Sequence, residues 1–337
     1  MTFDPDAPAS GDGLYGLSDP PDRAAVVVFA VPFEATTSYR RGTRAAPEAV
    51  RVASMQVDLT DRETGDPWRH GIALVPDDGT IERLGLDVEA DALAVIAAGG
   101  VVDAATAAAA ARVNEAGDRL NTIVAERVGA ALDRGAIPGV LGGDHAVPFG
   151  AIAAAAARVP GLGVLHVDAH ADLREAYEGF TWSHASIFWN VRTRLPVGPI
   201  VQVGIRDHGD AERRFSDAHA DLHTHYQSDL DAALCAGTPW ATLVAQMIEP
   251  LPHDVWISFD IDGLDPSLCP TTGTPVPGGL TWAHALWLLR ALSSSGRRIV
   301  GFDLCEVGPG EWDAVVGARL LYKLAGHALR TRPTTDP

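Results

Sequence analysis

At 337 residues, nearly half of them apolar, the chain is long enough for one large domain or two small ones. Its formal charge of −18 argues against nucleic acid or an anionic membrane surface as partner, since both require basic patches. No apolar run reaches the length of a membrane helix, and the alanine-rich stretches are broken by charges, so a membrane span is not expected either.

The N-terminus, MTFDPDAPASGDG, has neither a basic region nor an apolar core. No signal peptide is expected, and residues 1–23 read as a flexible segment. The first strand candidate is AVVVFAV (25–31), followed by a helix over 45–54. The stretch 61–115 is irregular, ends in an alanine-rich run and reads as a surface insertion carrying an extra helix. A helix over 116–134 leads to the strand GVL (139–141), and one over 147–158 to GLGVLHV (161–167). Then come PIVQVGI (199–205), helices over 210–219 and 239–248, DVWISF (254–259), a helix over 281–293 and RIVGFDL (298–304). A helix over 312–330 closes the pattern and leaves 331–337 as a tail. The strands are continuous apolar runs without alternation, as parallel strands covered on both faces require. Strand and helix alternating in this way predict an open α/β sheet whose ligands bind beyond the carboxyl ends of the strands. No repeat or linker divides the chain, so 24–330 is expected to form one domain. Cys235, Cys269 and Cys305 are widely spaced and form no CxxC, which fits a reducing cytoplasm.

Four stretches directly after these strands carry histidine or carboxylate: Gly142-Gly143-Asp144-His145, Asp168-Ala169-His170-Ala171-Asp172, Asp260-Ile261-Asp262 and Glu306. One DxH or DxD alone is more often an ordinary polar loop. Two histidines and four aspartates delivered to one sheet edge are a different case, because clustered carboxylates repel each other and resist burial unless a cation meets them. Mixed imidazole and carboxylate ligation favours Mn²⁺, with Fe²⁺, Co²⁺, Ni²⁺ or Zn²⁺ as alternatives. His166 reads as a satisfied histidine at a strand end.

GGDHAVPFG, HVDAHADLR and SFDIDGLDPSLCPTTGTPVPGG, together with the N-terminal VPFEATTSYRRGTRAAPEAVR, resemble the ureohydrolase family. That family comprises arginase, agmatinase and relatives that release urea from guanidinium compounds. The likeness spans roughly residues 24–330, and the N-terminal motif is closest to agmatinases. It implies a three-layer α/β/α sandwich around a mostly parallel eight-stranded sheet, assembled as a cytoplasmic homo-oligomer, a trimer or hexamer. It also implies two Mn²⁺ ions per subunit: one held by His145 and Asp172, the other by His170 and Asp262, with Asp168 and Asp260 bridging. Asp144 matches no ligand and is expected to orient His145. Glu306 matches the carboxylate that pairs with the substrate guanidinium, and His184, in TWSHASIF, the histidine assigned to proton shuttling. Here the sequence departs from the family, reading HAS where agmatinases have HGT and arginases HGM. Asp172 is expected to relay a proton from the water that the ions acidify.

The substrate implied is a small guanidinium compound, agmatine first, yielding putrescine and urea. Arginase, guanidinobutyrase and guanidine hydrolase activities are the alternatives, and a non-catalytic binding relative is the alternative class. Such relatives lose ligands, and none is lost here. The asparagine that arginases carry after this motif is absent, and Leu173-Arg174-Glu175-Ala176-Tyr177 stands there instead. Arg174 would suit a carboxylate tail, whereas Glu175 or Glu178 would suit the ammonium of agmatine. Trp182 and Trp189, near the entrance, read either as packing or as narrowing the pocket, and Cys305 reads as packing beside Glu306.

Overall fold

In the computed structural model, which describes residues 4–332, eight strands form a single sheet in the order β2-β1-β3-β8-β7-β4-β5-β6. They are β1 (Val26–Val31), β2 (Ile72–Val75), β3 (Ile137–Gly142), β4 (Gly163–Val167), β5 (Ile200–Ile205), β6 (Leu222–Tyr226), β7 (Asp254–Asp260) and β8 (Arg298–Cys305). Every pairing is parallel, so the sheet is more uniform than the mostly parallel one expected.

Helices cover both faces, which is why the central strands are apolar throughout. Val26 and Val28 face a core shared with α1 (Ala46–Ser54), α8 (Gln227–Cys235), α9 (Trp240–Ile248), α10 (Trp282–Ser294) and α11 (Glu311–Arg330). Val27, Phe29 and Val31 face α2 (Thr80–Asp87), α3 (Glu89–Ala97), α4 (Ala104–Asp133), α5 (Phe149–Ala156) and α6 (Ile187–Arg194), with Phe215 of α7 (Asp210–Ala218) at the margin. The result is the three-layer sandwich. Among the described residues no helix is long and apolar enough to cross a membrane.

Three sequence expectations change. The stretch 61–115 is not a surface insertion: it supplies β2, an edge strand paired with β1, and the start of α4. That helix begins at Ala104 because Asp103 caps it, accepting from the Thr106 amide at 2.8 Å. Within the segment read as flexible, Leu14, Tyr15 and Leu17 are buried, and Tyr15 donates its amide to Ser54 Oγ and its hydroxyl to the Ala318 carbonyl. In the tail, the amide of Ile299 donates to Thr331 Oγ1 at 2.9 Å, while 333–337, like 1–3, lie outside the described residues.

Register positions the site. Val167 of β4 lies opposite Phe259 of β7, and Asp260 opposite Cys305 of β8, so Asp168, Asp260 and Glu306 leave adjacent strands at nearly one level. Leu141 of β3 pairs with Leu304 of β8, which brings the turn 142–145 to the same edge. From the neighbours β4 and β7 the chain proceeds toward opposite edges of the sheet, to β5 and to β8, the position at which open α/β sheets form a ligand crevice.

Candidate metal centre and its cleft

The six residues expected to hold metal converge. One group brings His145, His166, Asp168 and Asp172 together and a second Asp168, His170 and Asp262, with donor atoms in each within 4.8 Å of one another. Asp260 lies outside both tight groups, yet its Oδ2 is 3.4 Å from His145 Nδ1. Asp168 joins the halves: Oδ2 is 2.9 Å from His145 Nδ1, and Oδ1 is 3.4 Å from His170 Nδ1. His170 Nδ1 is also 3.1 Å from Asp262 Oδ2.

The loops are shaped to permit this. Gly143 passes so close to the Phe33 carbonyl that a Cβ there would collide with it. Asp172 and Glu306 sit at φ 55° and 60°, a left-handed conformation costly for either side chain. Phe188 and Trp189, at the start of α6, hold Asp172 there by donating their amides to its carbonyl. Glu306 is held by its amide on Gly143 O and by Thr272 Oγ1 on its own carbonyl.

The donor set fits cations. His145 Nε2 lies 3.0 Å from Ser258 Oγ, and that hydroxyl donates to Asp303 Oδ1 at 2.8 Å, so Nε2 carries the ring proton. Nδ1 therefore presents a lone pair to oxygens of Asp168, Asp172 and Asp260 at 2.9, 3.1 and 3.4 Å. Only a proton or a cation among these atoms makes the arrangement favourable. Burial and the charge of Asp168 push Asp172 up to about 7, and burial with Asp262 and Asp168 raises Asp260 well above the usual carboxylate range. Divalent ions remove both penalties.

Asp144 does not orient His145. It caps the turn, accepting from the amides of Thr36 and Ala146, while Ser258 and Asp303 hold the imidazole. Asp303 is itself fixed by Trp256 Nε1 at 2.6 Å. His166 is buried, stacked on Phe188 at 3.7 Å and within 2.8 Å of Asp168 Oδ2. Burial pushes its imidazole down to about 4, so it is neutral.

Glu306 Oε1 accepts the His145 amide at 2.9 Å, whereas Oε2 is buried without a partner. A Cβ on Gly273 would stand 3.1 Å from Oε2, so glycine there preserves room in front of it. Cys305 Sγ packs close to Gly142, as expected of a packing residue.

A cavity of about 140 Å³ opens over His170 and Asp172, lined further by His184, Arg174, Tyr177, Asp207, His208 and Glu212. Larger hollows, one of about 940 Å³ beside Arg44 and Arg51, lie away from the carboxylate cluster. His184 is half-buried in the wall, its Nδ1 3.4 Å from Thr36 Oγ1. Burial, then His170 and His145 nearby, push its imidazole down to about 4. Arg174 stacks 4.7 Å from the Tyr177 ring, with Nε 3.5 Å from Glu212. Neither Glu175 nor Glu178 lines the cavity; the exposed carboxylate there is Asp207, which the sequence reading misses. Trp182 packs on Phe149 and donates to Asp118, and Trp189 packs near Phe215.

Comparison with known proteins identifies the family. The chain is 31% identical to the N(1)-aminopropylagmatine ureohydrolase of Synechocystis over 90% of its own length and 89% of that protein's. It is 30% identical to the agmatinase of Bacillus anthracis, over 86% and 85%. The fold superposes on the agmatine ureohydrolase of Thermoplasma volcanium with TM-score 0.72, at 24% identity, covering 95% of this chain and 94% of that one. The family model described as the arginase family matches residues 24–328. With nearly its whole length matched, the chain belongs to the arginase family and is a ureohydrolase, an enzyme acting on guanidino compounds.

Proposed function

We propose that this enzyme hydrolyses an amine-terminated guanidine, agmatine or its N1-aminopropyl derivative, to urea and the corresponding polyamine. The observation that carries the reading is the buried, unpartnered Oε2 of Glu306 beside the histidine–carboxylate cluster. A carboxylate there meets the planar N–H fork of a guanidinium with matched geometry and charge. Relatives named for aminopropylagmatine and agmatine hydrolysis support the choice of tail.

Two Mn²⁺ ions would be held by His145, Asp168, Asp172 and Asp260 on one side and by Asp168, His170, Asp260 and Asp262 on the other. Bound there, such ions supply acidification of a water molecule and stabilisation of developing negative charge. Glu306 orients the guanidinium so that its carbon faces the water, which replaces a chance encounter by a fixed approach. As the C–O bond forms, Asp172 accepts the proton released. That proton passes to the amine nitrogen as the C–N bond breaks, and the hydroxyl left on the carbon gives up a second one to the same nitrogen, so urea leaves together with a protonated amine. His184, neutral in the wall, exchanges protons with solvent between turnovers. At the rim Arg174 is engaged by Glu212 and Tyr177, so Asp207 supplies the uncompensated charge for a terminal ammonium. Assembly into a homo-oligomer, trimer or hexamer, belongs to the same proposal.

The test is urea release by the manganese-loaded protein with agmatine, N1-aminopropylagmatine, arginine, 4-guanidinobutyrate, 3-guanidinopropionate and guanidine. Highest kcat/KM for an amine-terminated substrate is expected; preference for a carboxylate-terminated one would make Arg174 the anchor and overturn the assignment.

A further inference from the structure

Three buried or half-buried histidines approach the carboxylates of this centre, and His166 on β4 has no part in the reaction described above. By distance alone it qualifies as a ligand, since its nitrogen shares the 4.8 Å cluster with His145, Asp168 and Asp172. Its other nitrogen decides the matter. Nδ1 lies 2.9 Å from Nε2 of Gln202 on β5. That amide is fixed from both ends: the same nitrogen donates to the Ala171 carbonyl at 2.7 Å, and Oε1 accepts from Thr224 Oγ1 on β6 at 2.9 Å. Turned over, it would set oxygen against the Ala171 carbonyl. Gln202 therefore donates to Nδ1, and the ring proton must sit on Nε2, 2.8 Å from Asp168 Oδ2. Thr224 is in turn 2.8 Å from Ser216 Oγ on α7, and Phe188 fixes the plane of the ring.

We infer that His166 is a positioning residue and not a metal ligand: Ser216, Thr224 and Gln202 lock its tautomer so that Nε2–H clamps the carboxylate of Asp168. A nitrogen carrying its proton has no lone pair to offer a cation. The clamp matters because Asp168 reaches both His145 and His170, so its rotation sets both halves of the centre. The opposite oxygen, Oδ1, accepts the His170 amide at 2.6 Å, and the two contacts together leave the side chain one orientation. Hydrogen-bond partners behind metal-binding carboxylates commonly act in this way.

The inference rests on the two-ion reading, and one set of measurements separates them. Mn²⁺ is titrated calorimetrically into the metal-free wild type, His166→Asn and Gln202→Leu, and the Co²⁺ forms are compared by visible absorption. The wild type should take up two ions per chain; fewer would overturn the two-ion reading and this inference with it. His166→Asn should still bind two, each about 10- to 100-fold more weakly, with Co²⁺ band positions unchanged. Gln202→Leu, which keeps the ring but frees its tautomer, should weaken binding in the same direction by less. Loss of one ion or a shifted Co²⁺ spectrum in His166→Asn would make His166 a ligand and overturn the inference. Should that variant fail to fold, Gln202→Leu decides alone, and wild-type affinity in it would overturn the inference equally.

Discussion

Ser258 Oγ stands 3.0 Å from Nε2 of His145, and because that hydroxyl gives its own proton to Asp303 it can only accept from the imidazole. A residue inside an apolar strand thereby sets which nitrogen of a candidate ligand faces the carboxylates. Replacing Ser258 by alanine should lower affinity for one of the two Mn²⁺ ions by about 10- to 100-fold and leave the other nearly unchanged. Calorimetric titration resolves the two events. Equal affinities in variant and wild type would show that the tautomer is set by some other contact.

Glu306→Gln should retain both ions, because Glu306 reaches the cluster only through the His145 amide. Exchanging a charged acceptor for an amide should cost about 2–3 kcal/mol of transition-state binding, about 30- to 150-fold in kcat/KM. Gly273→Ala fills the space before Oε2 and should raise KM without touching the metals. Metal analysis beside urea kinetics checks both; metal loss in Glu306→Gln would reassign that residue to the ion centre.

The candidate ligand set is legible in the sequence because each member follows an apolar strand, His145 in GGDH and the other five at the DxHxD or DxD spacing. What stands behind the ligands is less so. Ser258, Gln202 and Asp303 do leave a trace, a polar residue within a run otherwise apolar, but their partners lie on neighbouring strands and only register reveals them. β6 escapes notice because LHTHY is an edge strand, half-buried and therefore polar. β2 escapes because four residues between turns carry too little periodicity to recognise. Asp207 is invisible as a candidate because nothing in GIRDHGD distinguishes a cleft residue from a solvated loop. Its place beside His170 comes from β5 lying next to β4.

Lys323, the sole lysine, ties the loop near residue 61 to α11 by reaching Asp61 and Glu63 at 2.9 and 3.1 Å. Burial alone would raise the Asp61 carboxyl, but Lys323 and the amide of Glu63 reverse this and hold it below its ordinary value. A depressed carboxyl stabilises the fold above its unfolded pKa, and that contribution is lost as pH falls through the lower folded value. Lys323→Met should therefore cost about 1–3 kcal/mol at pH 7 by leaving Asp61 unpaired. The deficit should shrink below about pH 4, where Asp61 protonates in the unfolded chain. Denaturant midpoints of both proteins at pH 7 and pH 3.5 measure this, and a deficit equal at the two values would exclude the ion pair as its source.

At the rim of the cavity the charges are unequal in freedom. Arg174 has Glu212 beside its Nε and Tyr177 beneath its plane, and Glu212 is further held by the amides of Leu173 and Gly209. Asp207 is exposed in the same wall, with a strongly acidic protein around it. A terminal ammonium should therefore be drawn to Asp207, while a carboxylate must compete with Glu212 for Arg174. Asp207→Asn should raise KM for agmatine about 3- to 5-fold, the order expected when one exposed charge contact worth up to about 1 kcal/mol is removed. The change for 4-guanidinobutyrate should be absent or reversed, and the agmatine effect should fade as salt is raised, since exposed charges are screened. Steady-state kinetics on both substrates at low and high ionic strength measures each arm. A KM for agmatine unaffected by Asp207→Asn at low salt would remove Asp207 from recognition and return the choice of tail to Arg174.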